Sequence, residues 1–202
     1  MRPRLVAVAC FVILAWASIG GRVRAQSSGD PAALIEWSAT RSLTIRDFKG
    51  KIPGRASEAS RSWVAIEASW ECESGQGSSR ARAVFDPSRS WWREPVQSLW
   101  QGNDAPSLLA PKDDGGRGLL LHEQLHFDLT EIWARRIREL LLALPAACKT
   151  PGGSHAFERT IGEMERDWQD EQARYDKETA NGMDAGRQKA WAAKAAKALN
   201  EP

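Results

Sequence analysis

Apolar positions recur at every second residue through one part of the chain and at every third or fourth through the other. Between residues 62 and 72, Val64, Ile66, Ala68, Trp70 and Cys72 share one face while Glu67, Ser69 and Glu71 share the opposite one. That alternation is the mark of a half-buried strand. A loop at Gly75-Gln76-Gly77 leads into a second alternating run over 79–85, so the pair reads as a hairpin. Residues 43–48 make a shorter strand candidate, closed by a turn at Gly50 and Pro53. Asp86-Pro87-Ser88 turns the chain toward Trp91 and Trp92, and 101–117, rich in Gly, Pro, Asp and Asn, reads as a surface loop.

Beyond that loop the period changes. Leu125, Leu129, Ile132, Ile137, Leu140, Leu141 and Leu144 predict a helix over about 118–144, ended by Pro145. A connector over 145–154 holds Cys148, Gly152 and Gly153. A second helix over about 155–177 carries Phe157, Ile161, Met164, Trp168 and Tyr175 on one stripe, and a third over about 184–199 carries Trp191, Ala195 and Leu199. Strands first and helices afterwards predict an α+β domain: an N-terminal antiparallel sheet (about 33–100) and a C-terminal three-helix region (about 118–200). No internal repeat is visible.

Residues 1–25 stand apart. Arg2 and Arg4 precede an apolar run over 5–19, and Val23 and Ala25 are small residues placed for cleavage, the pattern of a signal peptide cut after Ala25. The run is short for a membrane span of ~20 residues. Cys10 lies within it with more apolar sequence following, which argues against a lipid attachment site. Cleavage lowers Lys+Arg from 28 to 24 against 26 acidic residues, so the formal charge moves from +2 to −2. The electrostatic case for a nucleic-acid partner goes with it. The expectation is one exported domain over 26–202, secreted or periplasmic and without membrane insertion after cleavage. Two cysteines remain, Cys72 and Cys148, and in an exported protein two cysteines are expected to pair.

The candidate chemistry lies in the first predicted helix, where His122-Glu123-Gln124-Leu125-His126 reads His-Glu-x-x-His. Four residues is a little over one helical turn, so both imidazoles project from one face about 6 Å apart. That spacing lets two nitrogens share one Zn²⁺, with Glu123 beside them as general base toward water on the metal. A catalytic zinc needs a third protein ligand. Asp176 is placed first, with Glu178, Asn181 and His155 as alternatives, since the second helix packs back on the motif helix. Tyr175, the single tyrosine, and Arg136 are candidate donors to a tetrahedral oxyanion. Ten tryptophans raise a glycan-platform reading against a core-filling one; Trp91 and Trp92 are the pair that most invites the former.

Several stretches together resemble a bacterial family catalogued as domain of unknown function 922, regarded as secreted zinc-dependent proteases. They are Ile35-Glu36-Trp37, Leu43-Thr44, Asp47-Phe48-Lys49-Gly50, Ser90-Trp91, Leu121-His122-Glu123-Gln124, His126-Phe127-Asp128, Ala134-Arg135, Tyr175-Asp176 with Thr179, and Gln188 with Trp191. The resemblance implies a zinc peptidase acting on peptide or protein substrates. One departure stands out. The family segment reads Tyr-Asp-x-x-Thr-x-His-Gly, and here Asn181 occupies the histidine position. A lost ligand at Asn181 would leave a degenerate scaffold that binds peptide or glycan without cleaving it.

Overall fold

The structure is a computed structural model and describes residues 34–56, 58–73, 76–93 and 117–201. Both halves have the predicted character. Among the described residues five strands, β1 (Ile35–Glu36), β2 (Ser60–Arg61), β3 (Val64–Glu73), β4 (Gln76–Phe85) and β5 (Trp91–Trp92), precede four helices. The helices are α1 (Arg117–Leu141), a single turn α2 (Leu144–Ala147), α3 (Gly153–Thr179) and α4 (Ala185–Asn200). The three predicted helices are thus joined by a fourth short one. Leu142 and Ala143 tighten the end of α1 through bonds to Glu139 and Leu140 carbonyls, and Pro145 opens α2 where a missing N–H costs least. No described helix is long and apolar enough to cross a membrane.

The main sheet is antiparallel in the order β1-β4-β3, with Val64 opposite Phe85 and Glu73 opposite Gln76. The loop expected at Gly75–Gly77 is therefore shorter, because Gln76 and Gly77 pair within the ladder. The strand expected at 43–48 is a 3-10 turn, Ile45–Asp47. Asp47 explains the difference: one carboxylate oxygen accepts from the Thr44 N–H (2.7 Å) and hydroxyl (3.0 Å), the other from Arg41 (2.7 Å). A local cap of this kind outcompetes strand pairing in so short an apolar run. A second small ribbon pairs β2 with β5. Residues 94–116, including most of the loop predicted before α1, lie outside the described residues, as does the signal segment.

Helix α1 lies between two apolar clusters. Phe127, Ala134, Ile137 and Leu141 face the sheet, where Ile66, Ala68, Trp70, Ala81, Ala83 and Phe85 meet Phe157, Ile161 and Trp168 of α3. Leu125, Leu129 and Ile132 face the other way, onto Tyr175, Trp191 and Ala195. Trp91 and Trp92 are both buried, and none of the other described tryptophans is exposed, so packing accounts for them. The pairing expected for Cys72 concerns a side chain outside the described set. Cys148 is half-buried against the sheet-side core and is not a free thiol.

Candidate metal centre

On α1, His122 and His126 fall on the stripe between the two apolar ones, and α3 covers that stripe. Helix periodicity brings Trp168, Gln172 and Asp176 to the covering face at four-residue steps. Three side-chain atoms meet there. His126 Nε2 lies 2.9 Å from Asp176 Oδ1, His122 Nε2 lies 3.2 Å from the same oxygen, and the two Nε2 atoms are 3.2 Å apart. All three residues are buried. Among the described residues they form the one group of His, Cys, Asp or Glu side chains arranged to share a metal ion.

The donor set fits zinc. In a tetrahedron with bonds of ~2.0–2.1 Å, neighbouring donor atoms stand roughly 3.3 Å apart, close to the spacings here. Two imidazole nitrogens and a carboxylate oxygen also match zinc's ligand preference. Three such lone pairs aimed at one point repel unless a cation or a proton lies between them. Without metal, a proton takes that place. Burial pulls the His126 imidazolium down, but the Asp176 carboxylate, helped by Glu123 and Gln172, pushes its pKa up to about 9. Burial pushes Asp176 up in turn, and the two histidines overcome it, holding the carboxyl well below the usual carboxylate range.

The supporting residues are less visible in sequence. His126 Nδ1 meets Gln172 Oε1 at 2.6 Å. His122 Nδ1 is buried with no partner among the described residues. Gly182 packs so tightly on His122 that a Cβ there would stand 3.0 Å from the His122 Cβ and Cγ, and its φ of +83° independently favours glycine. The chain reaches this position through Ala180 and Asn181, both left-handed (φ 50° and 55°), with the Asn181 N–H donating to the Asp176 carbonyl at 2.8 Å. Asn tolerates that conformation better than most residues.

Glu123 is buried and held from the sheet side. Its carboxylate accepts from the Ser60 hydroxyl at 2.6 Å and from the Ser62 N–H at 2.9 Å. Tyr175 is fully buried, stacked on His122 with ring centroids 4.7 Å apart, and its hydroxyl points at the His122 carbonyl over 3.4 Å. Burial, then the charges of Glu123, Asp176 and Asp128, raise its pKa, so it stays a protonated donor. Gln124 and Asp128, within and just after the motif, tie down the N-terminal segment. The Leu43 N–H donates to Gln124 (2.7 Å) and the Trp37 indole to Asp128 (2.9 Å).

The other sequence candidates sit elsewhere. Glu178 accepts from the Trp191 indole at 2.9 Å, and His155 is exposed, 3.6 Å from Glu158. Asn181 is exposed and shapes the turn through its backbone. Arg136 lies over the Trp133 ring at 4.3 Å, on a surface cleft shared with Glu171 and Arg174. The sequence reading missed Gln172, Ser60, Ser62 and the contact role of Gly182. For Gln172 a signal existed: it lies one helical turn before Asp176 on the same face. For the serines there was none.

Residues 97–182 match a family described as a bacterial protein of unknown function (DUF922). Over that stretch the chain is similar to this family. The matched segment contains His122, Glu123, His126, Gln172, Asp176 and Gly182, whereas Ser60 and Ser62 lie outside it. No curated protein and no solved structure matches the chain.

Proposed function

We propose that this chain is an exported zinc-dependent metallopeptidase, with His122, His126 and Asp176 holding the ion and Glu123 as general base. The observation that carries the reading is the convergence of two Nε2 atoms and one carboxylate oxygen within 2.9–3.2 Å in a buried site. These three residues would hold the ion, which when bound would supply an activated water and polarise a substrate carbonyl. Glu123 accepts the proton of the attacking water and returns it to the leaving amine, which balances the hydrolysis of one peptide bond. Ser60 and Ser62 fix the carboxylate that does so, and each of its oxygens keeps a further lone pair. Tyr175 serves this reading as the wall on which His122 stacks.

One observation favours a second reading, a non-catalytic peptide-binding protein on a protease scaffold. Both Glu123 oxygens already accept hydrogen bonds from the protein, as in a residue kept for structure. The experiment that separates the two is zinc content followed by hydrolysis of an unfolded protein substrate, with Glu123→Gln as control. About one zinc per chain and cleavage lost with Glu123→Gln is expected. Zinc without cleavage by the native chain would move the assignment to the binding reading, and no zinc would overturn the metal site. Export and a Cys72–Cys148 bridge belong to the same proposal. Retention of residues 1–25 in secreted protein, or two titratable thiols after denaturation, would remove those parts.

A further inference from the structure

We propose that Gln172 is a positioning residue that makes His126 a metal ligand, by locking its imidazole with the proton on Nδ1 and Nε2 bare. The inference rests on the metal-site reading above but concerns a residue outside the ligand set. Its basis is a buried chain of hydrogen bonds whose direction can be followed from one end. The Trp168 indole N–H can only donate, and it reaches Thr130 Oγ1 at 3.3 Å. The single Thr130 hydroxyl proton is spent on the His126 backbone carbonyl at 2.7 Å, a group that can only accept. Thr130 Oγ1 therefore presents only lone pairs to its remaining neighbour, Gln172, 3.1 Å away.

That settles which way the Gln172 amide faces. Its NH₂ donates to Thr130 Oγ1 at 3.1 Å and to the His126 carbonyl at 3.0 Å. Flipping the amide would place its oxygen against two acceptors with no proton between them, leaving buried groups unpaired. The carbonyl oxygen must then face His126 Nδ1, at 2.6 Å, so Nδ1 is the nitrogen that carries the proton. The opposite ring nitrogen, Nε2, is the one aimed at Asp176 and His122. A partner that fixes the tautomer and ring angle of a ligating histidine contributes 10–100-fold to metal affinity in known sites. All four members, Trp168, Thr130, Gln172 and His126, are buried, so water does not substitute for a lost link.

The test uses the full mature chain and zinc alone as probe, with affinity read by competition against a chromophoric chelator. Gln172→Met, which keeps length and loses the acceptor, is expected to weaken zinc about 10–100-fold. Gln172→Glu, whose buried carboxyl accepts from Nδ1 with one oxygen and, protonated on the other, donates to the His126 carbonyl in place of the amide NH₂, should recover to within about fivefold of native, and Thr130→Val should fall between. Equal losses in the Met and Glu variants would overturn the proposal, since a merely packed residue gives that pattern. A second readout is independent of metal: ¹⁵N shifts of His126 in the zinc-free chain, recorded where the ring is neutral. One Nδ1–H tautomer in the native chain and a mixture in Gln172→Met is expected. A mixture in the native chain would overturn it. Should the native chain bind no zinc, the metallopeptidase reading fails, and the tautomer measurement still decides this one.

Discussion

Both halves of α1 bury apolar residues, but only the first also buries polar and charged groups. From Ile132 onward the buried residues are Ile132, Ala134, Ile137 and Leu141, all apolar. Before it, Leu125, Phe127 and Leu129 are buried alongside the polar or charged His122, Glu123, His126, Thr130 and Glu131. Removing a polar group from water costs free energy unless a partner replaces the water. The buried part of the second half therefore needs only shape, whereas the first half needs a specific partner for each of its five buried polar groups. It has them: Ser60 and Ser62 for Glu123, Gln172 for His126, the His126 carbonyl for Thr130, and Arg135 and Arg138 for Glu131. His122 Nδ1 is the exception among the described residues. A helix that buries so much polarity in its first half does so for something other than stability.

The comparison breaks most sharply at the ligands. His122→Ala or Asp176→Ala should lower zinc affinity by roughly a thousandfold or more, because two donors cannot complete the site. Equilibrium dialysis against zinc checks this, and an Asp176→Ala chain that still holds one tight equivalent would remove Asp176 as the third ligand. In the apolar half the expected pattern is the reverse. Ile137→Ala, at a fully buried position, should cost about 2–5 kcal/mol of stability in urea titrations while zinc stoichiometry is unchanged. If instead zinc is lost in the folded Ile137→Ala chain, the halves are not separable in this way.

A change of pH sharpens the same contrast. His126 in the metal-free chain is raised to about 9, chiefly because Asp176 overcomes the effect of burial, so zinc must displace a proton at neutral pH. Apparent affinity should climb about tenfold per pH unit between 7 and 9 and flatten above. The metal-free stability from the His126–Asp176 pair runs the other way. The raised histidine contributes fully below its unfolded pKa of ~6.5 and loses its contribution as pH rises through about 9. On the acid side, the depressed Asp176 keeps its contribution until pH falls below the usual carboxylate range. Melting of zinc-free protein across pH 6–10 checks the sign, and a melting point that rises over this interval would contradict it. The smallest effect is expected at the family departure. Asn181 is exposed and Asp176 already stands with the histidines, so Asn181→His should leave zinc at one equivalent and affinity within about threefold. A large gain in the same competition assay would mean that the position takes part in binding.

Much of this was readable from the residues in order. Alternation over Val64–Trp70 and 3–4 spacing from Leu125 to Leu141 report local geometry, and local geometry is fixed by which positions are apolar. The same reasoning puts His122 and His126 on one face, since four residues on a helix always are. It failed at 43–48, where the Thr44–Asp47 cap outweighed a short apolar run. Sequence also determined the set from which a third ligand could come, though not its member. None of Asp176, Glu178, Asn181 and His155 has a spacing that identifies it, and only the packing of α3 against α1 distinguishes a carboxylate 2.9 Å from His126 from one bonded to Trp191. Gln172, Ser60 and Ser62 were decided in the same way. A neutral polar side chain carries no periodic signal of its own, and it acquires a role only when tertiary contact takes it out of water and leaves it one partner.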